Sequence, residues 1–161
     1  MMRLAFPSED FPAQAAVTLQ VPDDWLPVYS PGTVLAAREQ TDEGRFASNV
    51  IVRIDRRPAD FEISEALNEL REFAGGRREG TVSSTFEADL DGRLFVGCDV
   101  AWVDEQVGTV LQAHLFGILR SGPFVQLVQV TGSVGGAQAS YVAIKDILKS
   151  LRVREVPTGP S

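Results

Sequence analysis

Three long segments of alternating apolar residues follow one another closely in the second half of this chain. They span 92–103, 109–120 and 124–134, and only short links rich in glycine or polar residues separate them. Strands joined by such short links run antiparallel, because a parallel pair needs a crossover of a dozen residues or more. The sequence therefore predicts an antiparallel meander and argues against a fold of repeated strand–helix–strand units.

Several further strand patterns precede this meander. Residues 48–57 alternate in polarity with the period of two that is expected of a strand. One face of that strand would carry Val50, Val52 and Ile54. The shorter candidate strands are 16–21, 33–39 and 79–89. The last of them leads into Asp91-Gly92, which is a strong signal for a hairpin turn.

Two segments have the apolar spacing of amphipathic helices. The first is predicted over 60–74, where Asp60 would cap the start and Gly75-Gly76 would end the helix. Its apolar stripe consists of Ile63, Ala66, Leu67, Leu70, Phe73 and Ala74. The second helix is predicted over about 137–151, and a polar tail follows it.

The predicted fold is therefore an α+β domain built on an antiparallel sheet of about six or seven strands. The meander strands carry apolar residues on both sides. A sheet with one side exposed to solvent would show a clearer alternation of apolar and polar residues. We accordingly expect helices packed on both faces, in an α/β/α sandwich. With 161 residues the chain is expected to form a single domain over 1–161, with flexible ends at 1–14 and 154–161.

The charge of the chain limits the partners that it is expected to have. Its 15 basic and 22 acidic residues give a net charge of −7. This charge disfavours nucleic acid and anionic membranes and leaves a cationic protein partner open. The sequence predicts no membrane span and no secretory leader, because Pro7, Glu9 and Asp10 interrupt the start too early. The expected location is the cytoplasm, unless a native leader was removed.

No motif in the sequence predicts a metal or cofactor site. The acidic run 87–92 has calcium-loop spacing, but its twelfth position is Cys98 where a bidentate glutamate is needed. Cys98 is also the only cysteine, and it lies among apolar residues, where a thiol is usually inert. The glycines of 132–136 match neither dinucleotide nor phosphate-loop spacing, so we interpret them as a flexible connection between strand and helix.

The single histidine, His114, does not by itself define a catalytic site. A general base needs a nucleophile or an acid within hydrogen-bond reach. The sequence offers Asp99 or Asp104 as the carboxylate of a hydrolase, which remains the minor alternative. The expectation is that the chain is not an enzyme and that His114 has a structural or surface role beside Gln112.

The order of these segments resembles the LpqN-like proteins of actinobacteria. The matching pieces are VTLQVPDDW (17–25), FASNVIVRIDR (46–56), the helix 60–74, the meander, and a closing helix that ends in SLRV (150–153). This resemblance implies a Mog1/PsbP-like fold, whose members act through binding, and it supplies no catalytic motif. The chain lacks the leader and the lipid-carrying cysteine of the usual form, so surface anchoring is not carried over.

The leading hypothesis is a non-enzymatic protein-binding module, acting as an adaptor or chaperone. Its binding groove would lie between sheet and helix and would involve Trp25, Tyr29, Gln112, His114 and Phe116. Trp25 is expected to plug the end of the sheet, with a place at the groove mouth as the alternative; for Tyr29 both remain open. The second hypothesis is a carrier of a small apolar or lipid ligand, which requires a cavity of about 300 Å³ or more.

Overall fold

The long strands predicted for the second half of the chain form the centre of a large sheet. The computed structural model describes residues 1–42, 44–136 and 141–157. In chain order the elements are β1 (Ala16–Thr18), β2 (Leu26–Pro27), β3 (Leu35–Arg38), β4 (Asn49–Pro58), α1 (Ile63–Gly75), β5 (Thr81–Val82), β6 (Phe86–Leu90), β7 (Arg93–Asp104), β8 (Gly108–Ser121), β9 (Phe124–Gly135), α2 (Tyr141–Lys149) and β10 (Arg152–Arg154).

The described residues form a main sheet in the order β2-β3-β4-β9-β8-β7-β5, and β6 also pairs with β7. Every strand pair in it is antiparallel, so the predicted meander of β7, β8 and β9 is confirmed. The predicted hairpin between β6 and β7 is also present. It turns through Asp91 and Gly92, which have φ values of 56° and 81°. Both lie in the left-handed region that such a two-residue turn requires.

The sheet has eight strands in the described part of the chain, whereas six or seven were predicted. The difference arises partly because the predicted strand 79–89 is divided into β5 and β6, which both pair with β7. The predicted strand 16–21 is also corrected. Only Ala16–Thr18 is strand, and it pairs with β10 in a separate two-stranded sheet. Part of the predicted polar tail thus has a regular partner that sequence periodicity does not reveal.

The first helix begins two residues later than its capping signal suggested. Glu62 occupies the cap position in place of Asp60, and its backbone N–H donates to the Glu65 carboxylate at 2.8 Å. The predicted end is confirmed, because Gly75 is the last helical residue and Gly76 follows it. The second helix runs over Tyr141–Lys149. Its predicted start at 137 lies outside the described residues.

The two helices contact opposite sides of the sheet, but the predicted α/β/α sandwich is corrected. On one side α2 packs over β8 and β9, and its Ile144, Leu148 and nearby Leu151 are buried with the valines of β4 and β9. On the other side α1 packs over β5, β7 and β8. In the described part of the chain, no helix covers β2, β3 and the first half of β4 on the α1 side. The molecule is rich in strand, and its short helices of 13 and 9 residues leave part of the sheet open.

Gly132 and Gly135 lie inside β9. Their interpretation as part of a flexible connection between strand and helix is therefore wrong. Gly132 faces α2. A Cβ atom there would lie 2.2 Å from Ile144 Cγ2 and 2.8 Å from Leu148 Cδ1, which is closer than side chains can approach. The absence of a side chain therefore lets α2 pack closely on the sheet.

Candidate functional site

The side of the sheet that faces α1 changes in character from one edge to the other. Residues paired across antiparallel strands lie on the same side, so the register places Leu26, Arg38 and Asn49 in one row. The next row contains Val28, Ala36 and Ile51, and Arg53 lies two residues further along β4 on the same side. We call these seven residues the open face, because no helix in the described chain covers them.

A groove runs from this open face to the edge of α1. Its volume is about 310 Å³, and β4, β8, β9 and α1 line it. Apolar groups come from Ile51, Leu70 and Phe73, among others, while Arg53 and Arg57 lie along its β4 wall. Arg57 is engaged by Glu69 of α1, with Nη1 and Oε1 at 2.8 Å. Within the described residues, the groove therefore combines apolar groups with one arginine that forms an ion pair and one that does not.

Polar side chains of β8 and β9 form a hydrogen-bonded ladder on the sheet at the floor of this groove. His114 Nε2 lies 2.9 Å from Gln112 Oε1, so this nitrogen carries the proton and donates. His114 Nδ1 then accepts from Gln129 Nε2 at 3.2 Å and from Thr131 Oγ1 at 3.1 Å. Gln112 Nε2 in turn donates to Ser133 Oγ at 2.9 Å. Both ring nitrogens of His114 are therefore satisfied within the protein.

The imidazole is kept neutral at ordinary pH. Burial lowers the pKa of His114 to about 4; the nearby Asp99 raises it and Arg53 lowers it further. The ring is only 4% exposed, so the charged, protonated form would have little access to water and is disfavoured. A neutral, fully bonded histidine fits the expected structural role, but it is buried at the groove floor rather than on the surface.

The carboxylates considered for a hydrolase lie elsewhere. Asp99 pairs in register with Ala113, so it lies on the α2 side of the sheet, opposite His114. There it accepts from Tyr141 Oη at 2.7 Å and from Lys145 Nζ at 2.9 Å. Burial and the hydrogen bond to Asp99 together raise the pKa of Tyr141. Asp104 Oδ1 accepts from the backbone N–H groups of Gln106 and Val107 in the β7–β8 turn.

The five residues predicted for the groove are not all brought together. Gln112, His114 and Phe116 line it. Trp25 instead lies half-buried against the core on the α2 side, which agrees with the expected packing role more than with a groove mouth. Tyr29 is 91% exposed and does not line the groove. Cys98 is buried beside His114 on the neighbouring strand, and burial raises the pKa of its thiol.

Sequence reasoning missed the residues that give this site its character. These are Leu26 and Val28 at the sheet edge, Arg53 on β4, and Gln129 and Thr131 on β9. The alternation of β4 already placed Ile51 and Arg53 on its second face, which was the one signal available. That β4 lies beside β9, and that α1 leaves β2 and β3 uncovered, depends on long-range pairing that the local pattern does not contain.

The described helices include none long and apolar enough to cross a membrane. A second groove of about 330 Å³ lies on the α2 side, lined by Phe86, Ala113, Leu115 and Lys145, among others. Lys145 is held there by Asp99.

The sequence matches no protein-family model and no curated protein sequence. Its fold nevertheless has clear counterparts among solved structures. The chain resembles LpqN of Mycobacterium tuberculosis, a protein involved in cell envelope biogenesis, with a TM-score of 0.70 and 13% identity over 89% of this chain and 86% of that one.

Two further neighbours have the same architecture. CyanoP, the PsbP of the cyanobacterium Synechocystis, superimposes with a TM-score of 0.60 and 15% identity, covering 85% of this chain and 86% of CyanoP. The Ran-binding protein Mog1p of Saccharomyces cerevisiae gives 0.51 and 14%, covering 85% and 89%. The Mog1/PsbP-like fold is thereby confirmed, and at these identities the likeness establishes the fold alone.

Proposed function

We propose that this chain is a non-enzymatic protein-binding module that receives its partner on the open face and in the adjoining groove. One observation carries the proposal. Leu26 and Val28 are 39% and 37% exposed, and they lie at the sheet edge on the same side as Ala36 and Ile51. Scattered apolar residues are normal on a surface, but a contiguous group beside a groove is typical of a binding site.

The geometry around His114 supports a binding role over a catalytic one. Its ring nitrogens bond to Gln112, Gln129 and Thr131, and neither Asp99 nor Asp104 is among its hydrogen-bond partners. A base in this state would have to break the ladder before it accepted a substrate proton. Mog1p is a Ran-binding protein, so one protein of this fold acts on a protein partner.

Membership of the LpqN-like family, an actinobacterial source and a cytoplasmic location all stay predictions. The structural neighbours support the fold on which the family prediction depends. They do not favour the cytoplasm in particular, because LpqN is involved in cell envelope biogenesis.

The test is affinity capture from a lysate of the source organism with matched surface variants. Val28→Asp places a charge at the centre of the open face. Val142→Asp makes the same change on α2, where Val142 is 72% exposed. We expect a partner that wild type and Val142→Asp recover equally and that Val28→Asp recovers at least tenfold less. Equal recovery by both variants would contradict the proposal.

A second candidate, a carrier of a small apolar or lipid ligand, is favoured by the groove volume. About 310 Å³ reaches the lower end of the range typical of ligand pockets. Leu70 and Phe73 supply apolar lining from α1. Native mass spectrometry of the purified protein should then show a bound species, and Leu70→Trp should displace it by filling the groove. An unliganded mass under gentle ionisation contradicts this candidate.

A further inference from the structure

The open face differs in charge from the chain as a whole. The protein carries a net charge of −7, which favours a cationic partner when only the total is considered. The open face nevertheless carries two exposed arginines, Arg38 and Arg53. Within the described residues neither side chain forms an ion pair, and Arg38 Nη1 only donates to the carbonyl of Glu39 at 3.4 Å. Local charge therefore favours an acidic partner on this surface.

The acidic residues near the open face do not cancel these charges. Glu69 is engaged by Arg57 at 2.8 Å. Asp55 lies on the same side of β4, beyond Arg53 and towards the strand end at Pro58, so it borders the face rather than dividing it. Among the described residues, the two arginines thus flank the apolar group of Val28, Ala36 and Ile51 without a carboxylate between them.

The sheet edge itself is poorly suited to accept another strand. The edge strand β2 has only two residues, and one of them is Pro27, which has no N–H to donate. A partner that gained affinity by strand addition would need a longer run of free donors and acceptors. The face of the sheet, which has exposed apolar and cationic side chains, is the better surface for contact.

We propose that the open face binds an extended protein segment in which two carboxylates flank a large apolar side chain. The carboxylates pair with Arg38 and Arg53, and the apolar residue contacts Val28 and Ile51. This inference rests on the proposed function and specifies the chemistry of the partner.

The register sets the spacing that such a segment needs. Arg38 is paired with Asn49, and Arg53 lies four residues further along β4. Four residues of strand span about 13 Å. Side chains that point to the same side of an extended segment recur every second residue, so acidic residues at positions one and five with an apolar residue at position three match the face.

The experiment selects binders from a random twelve-residue peptide library displayed on phage, with the wild-type protein immobilised. Enriched peptides are then synthesised with a fluorophore and measured by fluorescence anisotropy. We expect Asp or Glu spaced by four residues around Leu, Ile or Phe. We also expect binding to weaken at least tenfold in Arg53→Glu, because a like charge replaces the pairing group. Exchanging an acidic residue of the peptide for Lys should restore part of that loss.

Arg154→Glu is the matched control, because it makes the same charge change on β10, away from the open face. It should leave affinity within twofold. Enriched peptides without acidic residues, or equal effects of Arg53→Glu and Arg154→Glu, overturn the inference. If peptides without acidic residues bind the wild type but not Val28→Asp, the proposed function survives and only the acidic chemistry fails. If no peptide distinguishes wild type from Val28→Asp, both proposals fail.

Discussion

The same strands form a packed core on one side and an open surface on the other. Along β4, the buried residues Val50, Val52 and Ile54 alternate with Ile51 and Arg53 of the open face. Along β9, valines that pack beneath α2 alternate with polar residues of the ladder: Gln129, Thr131 and Ser133. Two sides of one sheet therefore have different environments although they share every backbone hydrogen bond.

This difference indicates where stability and function are located in the molecule. On the α2 side, Gly132 lets the helix approach so closely that Ile144 and Leu148 contact the strand directly. On the α1 side, no helix of the described chain covers β2 and β3, and exposed apolar residues remain at that edge. Substitutions on the packed side should mainly change the free energy of unfolding, whereas those on the open face should mainly change binding.

The largest effect is expected in the packed side. Ile144→Ala removes a side chain that is 1% exposed, and it should lower the free energy of unfolding by about 3–4 kcal/mol. Urea denaturation measures the loss. Val142→Ala on the same helix is the control and should cost less than about 0.5 kcal/mol, because this side chain is exposed. Similar losses for both variants would contradict the burial assigned to α2.

The next effect is a dependence of stability on pH that arises from His114. Its pKa in the folded protein is about 4, below the ordinary 6.5. As pH falls, the imidazole is therefore protonated in the unfolded chain before it is protonated in the folded protein. The stabilisation that this group gives is fully present above pH 6.5 and is lost as pH drops towards 4. The expected loss is about 3 kcal/mol over that window.

Urea denaturation at pH 7 and pH 4 measures this loss in wild type and in His114→Gln. The carboxylates contribute a pH dependence of their own, so the difference between the two proteins isolates the histidine. An identical pH dependence in both proteins would show that the imidazole is not held neutral.

A smaller effect is expected when a methyl group is added at Gly132. Gly132→Ala places its Cβ 2.2 Å from Ile144 Cγ2, so the helix or the side chain has to move, at a cost of about 1–3 kcal/mol. In combination with Ile144→Ala the added penalty should shrink, because the nearer of the two atoms that block the new methyl group is gone and only Leu148 Cδ1 remains. Strict additivity in thermal or urea unfolding would argue against this contact.

The smallest effect is expected on the open face. Val28→Thr and Arg53→Gln change exposed side chains for which the described residues supply no ion pair or side-chain hydrogen bond, so each should alter the free energy of unfolding by less than about 0.5 kcal/mol. Differential scanning calorimetry provides the measurement. A loss above 1 kcal/mol for either variant would place that residue in the core rather than on a binding surface.

Much of the fold was accessible from local patterns. The period of two in β4, β7, β8 and β9 predicted long strands, and short links made them antiparallel. The spacing of Ala66, Leu67 and Leu70 identified the buried stripe of α1. These predictions hold because side-chain direction repeats with a period fixed by the backbone, whatever the strand or helix later packs against.

The candidate site was accessible only in part. Gln112, His114 and Phe116 share one side of β8 and line the groove, because they alternate on a single strand. Trp25 was placed with them although it packs on the other side, since nothing in the segment 22–32 fixes its side. Arg53 and Gln129 come from strands that pair across more than 70 residues of chain, and no local signal joins them.

The sequence by itself determined which residues form strands and helices and which of them share a side, because these properties follow from periodicity within a few residues. Only the tertiary structure decided that β4 pairs with β9, that β1 pairs with β10, and that α1 stops short of the sheet edge. Those outcomes depend on the packing free energy of segments distant in sequence, so the open face exists only once the whole sheet has formed.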